Sequence, residues 1–261
     1  MSTLGVDHSD GTPFQLLGDC GPIDDDNLYE LYAYPSDLTR AWVRGNAISS
    51  VDGGATTDGT SGGLGSFGDR RLFQVLRDLA DVIVIGAGTV RAENYAGAQM
   101  SIRGRQTRQD RGQLEVPPLA VVTRSGNLDR DLAVLTHTEV APFVLTCSAA
   151  AKTARAQLGS SAEVIACSGS DPAEIDPAEM LLALAERNLV RVLAEGGPTL
   201  MDTLIDNDLL DELCVTYSPM LVGGSAKRIA TGSGHVVRRM TRSHLISDGD
   251  GYVYARYTRA S

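Results

Sequence analysis

Two segments of the chain place a pair of glycines directly after a short apolar run. Ile83–Arg91 reads I-V-I-G-A-G-T-V-R, and Val192–Leu200 reads V-L-A-E-G-G-P-T-L. A strand that enters such a turn and leaves it as a helix offers free backbone N–H groups and the positive end of a helix dipole to a phosphate. Gly86, Gly88 and Thr89 are the candidate contacts of the first turn. Gly196, Gly197, Pro198, Thr199 and Leu200 are those of the second, where Pro198 suits the first helical position. Either turn alone could equally be a tight structural bend. Two in one sheet suit the pyrophosphate of a dinucleotide. The pattern is not the Rossmann fingerprint, because Arg91 stands where the third glycine belongs and Thr123 where an acidic ribose ligand is expected. Thr123-Arg124-Ser125 reads either as a surface turn or as an acceptor of a 2′-phosphate, which favours NADP(H) over NAD(H).

Charged residues lie near both turns. Glu195 at a strand end is a salt-bridged or capping carboxylate, or an acid facing a ligand. Arg77 could grip a phosphate with two parallel hydrogen bonds or lie solvated on its helix. Asp69 at a helix start is a cap, or the partner of a 2-amino-4-oxo ring such as a pterin. Ser101–Gln113 sets Arg103, Arg105, Arg108 and Arg111 against Asp110 alone and reads as a mobile basic loop, solvated or attracting anions. His8, His137, His235 and His244 are scattered, as are Cys20, Cys147, Cys167 and Cys214, with no metal-ligand spacing. No metal site is expected, and the cysteines read as buried free thiols of a reducing cytoplasm.

The elements that must position these groups follow from hydrophobic periodicity. Val82–Ile85, Leu119–Val122, Pro142–Thr146, Glu163–Ala166 and Val190–Ala194 are short apolar runs typical of strands covered on both faces. Trp42–Ser50 reads as a further strand and residues 55–68 as a loop. A helix with Leu72, Val75, Leu76 and Leu79 on one face begins near Ser66 or Asp69. Helices are also expected over Pro177–Arg187 and from Pro198 to about Asn207. Strands at Leu213–Ser218, Leu245–Ser247 and Tyr252–Tyr257 have little helix between them, so an antiparallel edge is expected. The whole reads as layered α/β with a mostly parallel sheet.

Charge bounds the partners. The 261 residues carry a net charge of −10. Residues 1–40 hold eight acidic side chains against Arg40 alone. They read as an acidic, solvated, partly ordered N-terminal arm ahead of a nearly neutral core domain over 41–261. That balance argues against nucleic acid as a partner. No apolar run is long enough for a membrane span, and no secretory signal is visible.

Four motifs in order resemble one family: V-R-G-N-A-I-S-S-V-D-G (43–53), I-G-A-G-T-V-R-A-E-N (85–94), A-E-G-G-P-T-L (194–200) and D-E-L-C-V-T-Y-S-P-M-L-V-G-G (211–224). Together they resemble the RibD C-terminal family, the reductase of riboflavin biosynthesis, over roughly residues 40–258. The chain looks closest to stand-alone, actinobacterial-type members; the signature of the deaminase partner domain, H-x-E followed by P-C-x-x-C, is absent as a pair, since no P-C-x-x-C occurs. The resemblance implies a dihydrofolate reductase-like three-layer α/β/α fold, NADPH as cofactor, a homodimer and a small-molecule substrate. It implies cofactor contacts from Ile48, Gly63, Gly86, Gly88, Thr89, Val90, Glu93, Thr123 to Ser125 and Gly196 to Leu200. Substrate contacts are implied from Asn46, Ser61, Arg77 and Gly97, and a catalytic part for Glu93 and Glu195. The implied reaction reduces 5-amino-6-(5-phosphoribosylamino)uracil to its ribitylamino product, with hydride delivered to the ribose C1′. Some members of this type also reduce dihydrofolate. Asn46 replaces a common lysine, Glu93 a common aspartate, and Tyr95 a common proline. Gln99-Met100 stands where a basic phosphate contact is usual, with Arg103 a possible substitute. These departures keep two alternatives open: a pterin reductase using Asp69, and an NADP-binding protein without catalysis.

Overall fold

The computed structural model describes residues 21–234 and 236–260. Nine strands form one sheet in the order β5-β4-β3-β2-β6-β1-β7-β9-β8. They are β1 (Trp42–Ser50), β2 (Val82–Gly86), β3 (Leu119–Val122), β4 (Phe143–Thr146), β5 (Glu163–Ala166), β6 (Arg191–Ala194), β7 (Glu212–Ser218), β8 (Met240–Ser247) and β9 (Val253–Arg259). From β5 through β7 all neighbours run parallel; β9 and β8 close the sheet antiparallel. The helices are α1 (Asp25–Leu31), α2 (Phe67–Leu79), α3 (Ala87–Ala92), α4 (Ile102–Asp110), α5 (Ala133–Thr136), α6 (Ser148–Leu158), α7 (Pro177–Ala185) and α8 (Pro198–Asp206). None is long and apolar enough to cross a membrane.

The apolar runs fold as expected because both sheet faces are covered. In β2, Ile83 and Ile85 point into a core with Leu72, Val75, Leu76 and Leu79 of α2 and with Ala151, Ala154 and Leu158 of α6. Their neighbours Val82 and Val84 enter a second core on the opposite face, with Met180, Leu181 and Leu184 of α7 and Leu200, Met201 and Leu204 of α8. The two-residue period of the strand thus feeds two helix layers. Each of these branched side chains, removed wholly from water, contributes roughly 1.5–3 kcal/mol of burial free energy. Ser66 rather than Asp69 caps α2, its hydroxyl accepting from the Asp69 N–H at 3.0 Å.

Two expectations need correction. Ser101–Gln113 is not a mobile loop: Ser101 caps α4, and Arg108 is completely buried. Its guanidinium donates to the carbonyls of Arg77, Asp78 and Ala80 at 3.1, 3.2 and 2.5 Å, and Arg111 adds a bond to Asp78. The last carbonyls of a helix have no partner of their own, and these arginines supply one. Burial lowers the Arg108 guanidinium to about 10, still charged at neutral pH.

The second concerns the arm over residues 1–40, which is less solvated than expected. Residues 1–20 lie outside the described residues, but the segment after them is folded against the core. An Asp24 capping box with Asn27 starts α1, and Leu28 and Tyr32 are buried. Asp25 pairs with Arg71 of α2 and Asp26 with Arg103 of α4, each at 2.5 Å. Behind α1, Arg44 and Arg256 donate to the carbonyls of Tyr32, Leu31 and Ala33 while both pair with fully buried Glu212. Buried apolar surface and unpaired carbonyls, not net charge, decide where this segment goes.

Candidate active site

Because β2, β6 and β1 are parallel neighbours, their carboxyl ends meet at one edge of the sheet. Open α/β sheets place ligand crevices there. The Gly86 N–H donates to the Gly196 carbonyl at 2.8 Å, so the two glycine turns are in direct contact. Gly196 has φ of +94°, open to glycine but strained for other residues. A Cβ on Gly197 would collide with the Thr89 hydroxyl. The backbone amides that begin α8 therefore lie open beside α3. This cradle, lacking side chains at its closest approach, fits the pyrophosphate of a dinucleotide.

A cavity of 690 Å³ opens at this edge, lined by residues of both turns, of β1 and of α2. It is large enough for a ligand of cofactor size. Among the residues expected at the site, it brings together Asn46, Ile48, Ser61, Asp69, Gly86, Gly88, Thr89, Glu93, Glu195 and Gly196 to Leu200. Gly63 lies exposed in a short 3-10 turn (62–64) beside Ser61. Val90 and Gly97 are not brought to the cavity. Val90 fills the core, and Gly97 is buried against Thr138, its N–H bonded to the His137 carbonyl. Thr123, Arg124 and Ser125 follow β3, one strand outward from β2, and do not line the cavity; Arg124 pairs at the surface with Glu174 at 2.8 Å.

The charged side chains of the site are more committed than their spacing suggests. Arg77 does not wait for a phosphate: its Nε and Nη2 donate to the two oxygens of Glu195 at 2.7 and 2.8 Å. The Tyr95 hydroxyl donates to the same carboxylate and accepts from Arg77 at 2.9 Å. Burial works against the Arg77 charge, but the Glu195 carboxylate outweighs it and holds the guanidinium firmly protonated. Burial and then the charge of Glu195 push the Tyr95 phenol well above its ordinary value, so it remains a neutral donor. Glu93 at the end of α3 accepts from the backbone N–H and hydroxyl of Ser61 at 2.8 and 3.1 Å. It ties the loop after β1 over the cavity. Asp69 differs from these acids. Burial raises its carboxyl, and the Thr216 hydroxyl and then the charge of Arg70 offset this only in part. Arg103, offered as a substitute phosphate contact, is occupied by Asp26 and does not line the cavity.

Among the wall residues that sequence reasoning missed are Tyr95, Arg70 and Lys227. Tyr95 was visible only as a departure from a motif. Arg70 is the residue after Asp69, and Lys227 belongs to the chain between β7 and β8 that returns across Ala55 through a 2.7 Å backbone bond. That stretch has no periodicity to betray its position.

Comparison with known proteins places this geometry. The RibD C-terminal domain model matches residues 41–254. The 2,5-diamino-6-ribosylamino-4(3H)-pyrimidinone 5′-phosphate reductase of Archaeoglobus fulgidus is 28% identical over 222 residues, covering 84% of this chain and 100% of its own. The protein of the same name from Methanothermobacter thermautotrophicus is 29% identical over 197 residues, covering 75% and 86%. A pyrimidine reductase-like protein from Corynebacterium diphtheriae superposes with a TM-score of 0.74 at 26% identity, over 85% of this chain and 92% of that one. The riboflavin biosynthesis reductase of Saccharomyces cerevisiae shares the fold, with a TM-score of 0.61 at 16% identity over 87% and 93% of the two chains. The three-layer sheet with its antiparallel edge is the architecture of these reductases, and the chain belongs to the RibD C-terminal domain family.

Proposed function

We propose that this protein reduces a 5-amino-6-ribosylamino-pyrimidinone 5′-phosphate with NADPH, in the manner named for its archaeal relatives. It is an oxidoreductase of the riboflavin-pathway type. The relatives are named for the 2,5-diamino compound, which differs from the deaminated uracil of the first expectation by an amino group on the ring. The relatives' names favour the diamino form. The pterin and non-catalytic alternatives have no comparable support. The observation that carries the reading is the meeting of the two glycine turns with Asp69, Glu93 and the Arg77–Glu195–Tyr95 group around one cavity.

The cofactor, when bound, supplies the hydride. Gly86, Gly88 and the amides of Gly197 to Leu200 would hold its pyrophosphate. Arg124 would meet the 2′-phosphate, since its exposed pair with Glu174 costs little to exchange. The chain's own tasks are then to orient the substrate, exclude water and supply a proton where the ribose opens. Asp69 suits the last task, because its surroundings favour the protonated carboxyl. Glu195, fixed by Arg77 and Tyr95, presents a rigid acceptor to the sugar hydroxyls. Glu93 closes the loop through Ser61.

The test is NADPH oxidation by the purified protein with the diamino and deaminated ribosylamino phosphates, against dihydrofolate. Turnover of a pyrimidine above the dihydrofolate control is expected; the reverse ranking would overturn the reading. NADH in place of NADPH should be used poorly, and more nearly equally after Arg124→Gln. We propose further that residues 41–261 form the reductase unit and that it pairs as a homodimer through the antiparallel edge. Tyr217, Met220, Leu221 and Leu245 are exposed there at 39, 40, 79 and 36%. Light scattering would show a monomer if this is wrong. A cytoplasmic setting suits the buried free thiols of Cys147, Cys167 and Cys214.

A further inference from the structure

The substrate class named for the relatives carries a phosphate, yet the cationic positions expected from the motifs do not provide for it. Asn46 and the Gln99-Met100 pair are neutral. Arg77 commits its Nε–Nη2 edge to Glu195, and its charge is balanced there. Arg103 pairs with Asp26 and does not line the cavity. The cations that line the cavity are Arg70 and Lys227, and among the described residues neither forms a salt bridge with a carboxylate.

The layers of the fold separate these two. Lys227 sits on the stretch that packs with α8: Thr231 N–H bonds to the Pro198 carbonyl at 3.1 Å, and Ala230 joins the core beneath α8. That is the side of the second glycine turn. Arg70 lies on α2, on the other face of the sheet, one residue after Asp69 and one turn before Phe73, which also lines the cavity. The ribose to be opened and its 5′-phosphate are joined through a single carbon. A phosphate anchor next to the acid that serves the ribose is therefore geometrically apt.

We propose that Arg70 receives the 5′-phosphate of the substrate. The assignment rests on the reductase reading given above. An arginine at a cavity mouth meets a phosphate with paired, charge-assisted hydrogen bonds. Its position in solvent leaves the fold indifferent to its loss, and lets it draw a dianion toward the cavity at low salt.

The experiment compares wild type, Arg70→Gln, Arg70→Lys and Lys227→Gln, each with the ribosylamino pyrimidine phosphate and with its dephosphorylated counterpart. The quantity read is the ratio of the two kcat/KM values. In wild type the phosphorylated compound is expected to be preferred. Arg70→Gln lowers that preference by about tenfold or more, through KM, leaves the KM for NADPH in place, and flattens the salt dependence. Arg70→Lys retains part of it, and Lys227→Gln retains nearly all of it. A preference undiminished in Arg70→Gln, or lost in Lys227→Gln instead, overturns the assignment while leaving the reductase reading intact. Equal use of both compounds by wild type also overturns it. If wild type reduces neither compound, the parent reading falls and the assignment with it.

Discussion

Two of the buried carboxylates that pair with arginine, Glu212 and Glu195, are built to different ends. Beneath α1, Glu212 is sealed: it accepts from Arg44, from Arg256 and from the Trp42 indole, and has no exposed surface. Burial works against its charge, but Arg44 and Arg256 more than offset this and hold the carboxyl below its ordinary value. At the sheet edge, Glu195 accepts from Arg77 and Tyr95, but both it and Tyr95 also line the cavity. The chemistry of the pairs is the same. One closes a gap between a helix and a sheet, and the other leaves an oriented carboxylate at the boundary of an open space. A buried ion pair alone therefore does not mark a functional site; its contact with a cavity does.

The contrast can be broken from either side. The largest effect is expected for Arg44→Ala, which takes from buried Glu212 its fully buried cationic partner and leaves Arg256 alone against it: about 3–5 kcal/mol of stability is lost in denaturant titrations. The residual folded protein keeps its KM values. Glu195→Gln should act in the opposite proportion. Its kcat/KM falls about 100-fold, worth roughly 2.7 kcal/mol, with a smaller loss in melting temperature. Tyr95→Phe removes the hydroxyl that donates to Glu195 and accepts from Arg77. It should cost about tenfold in kcat/KM, close to 1.4 kcal/mol, with the cofactor KM unchanged. If Arg44→Ala and Glu195→Gln had the same balance of stability and activity loss, the distinction would be void.

The smallest effects are those of pH, and the two regions should titrate in opposite senses. Near the sealed cluster, His244 meets Tyr32 edge to face at 4.9 Å; burial and then Arg256 hold its imidazole below the ordinary value. The folded state therefore binds that proton less readily than the unfolded chain, and stability is lost as pH falls through about 6.5. His244→Phe should remove this acid-side slope. At the site, Asp69 is raised, so the folded state holds its proton better. Stability from this group is complete below the ordinary carboxylate range and lost as pH rises through the raised value. Asp69→Asn should raise the melting temperature at neutral pH by about 1–3 °C while lowering kcat. The gain should vanish in acid, which calorimetry at two pH values would show.

Much of the frame was legible because its signals are local. A short continuous apolar run such as Val82–Ile85, ended by a glycine, is typical of a strand covered twice, and Glu163–Ala166 is found at the expected residues. The glycine turns were legible because their geometry needs glycine. The commitments of the charged residues were not, since they depend on partners distant in sequence. Arg108 serves carbonyls of α2, and α4 has no apolar face to reveal it. Arg77 meets Glu195 over a separation of 118 residues. Arg70 and Lys227 become notable only after the other cations have been matched to their acids.

The place of β6 has a consequence for how this crevice comes into being. Residues 191–194 enter the sheet between strands that begin at 42 and 82, and they bring Glu195 and the second glycine turn with them. Until that strand is inserted, β1 and β2 have no common neighbour and the crevice has only one wall. Such distant pairings close large loops and are slow to form. On a ribosome the first half of the sheet would emerge with a gap at its centre, and the capacity to bind a dinucleotide would arrive in one step, when residues near 200 become free to fold.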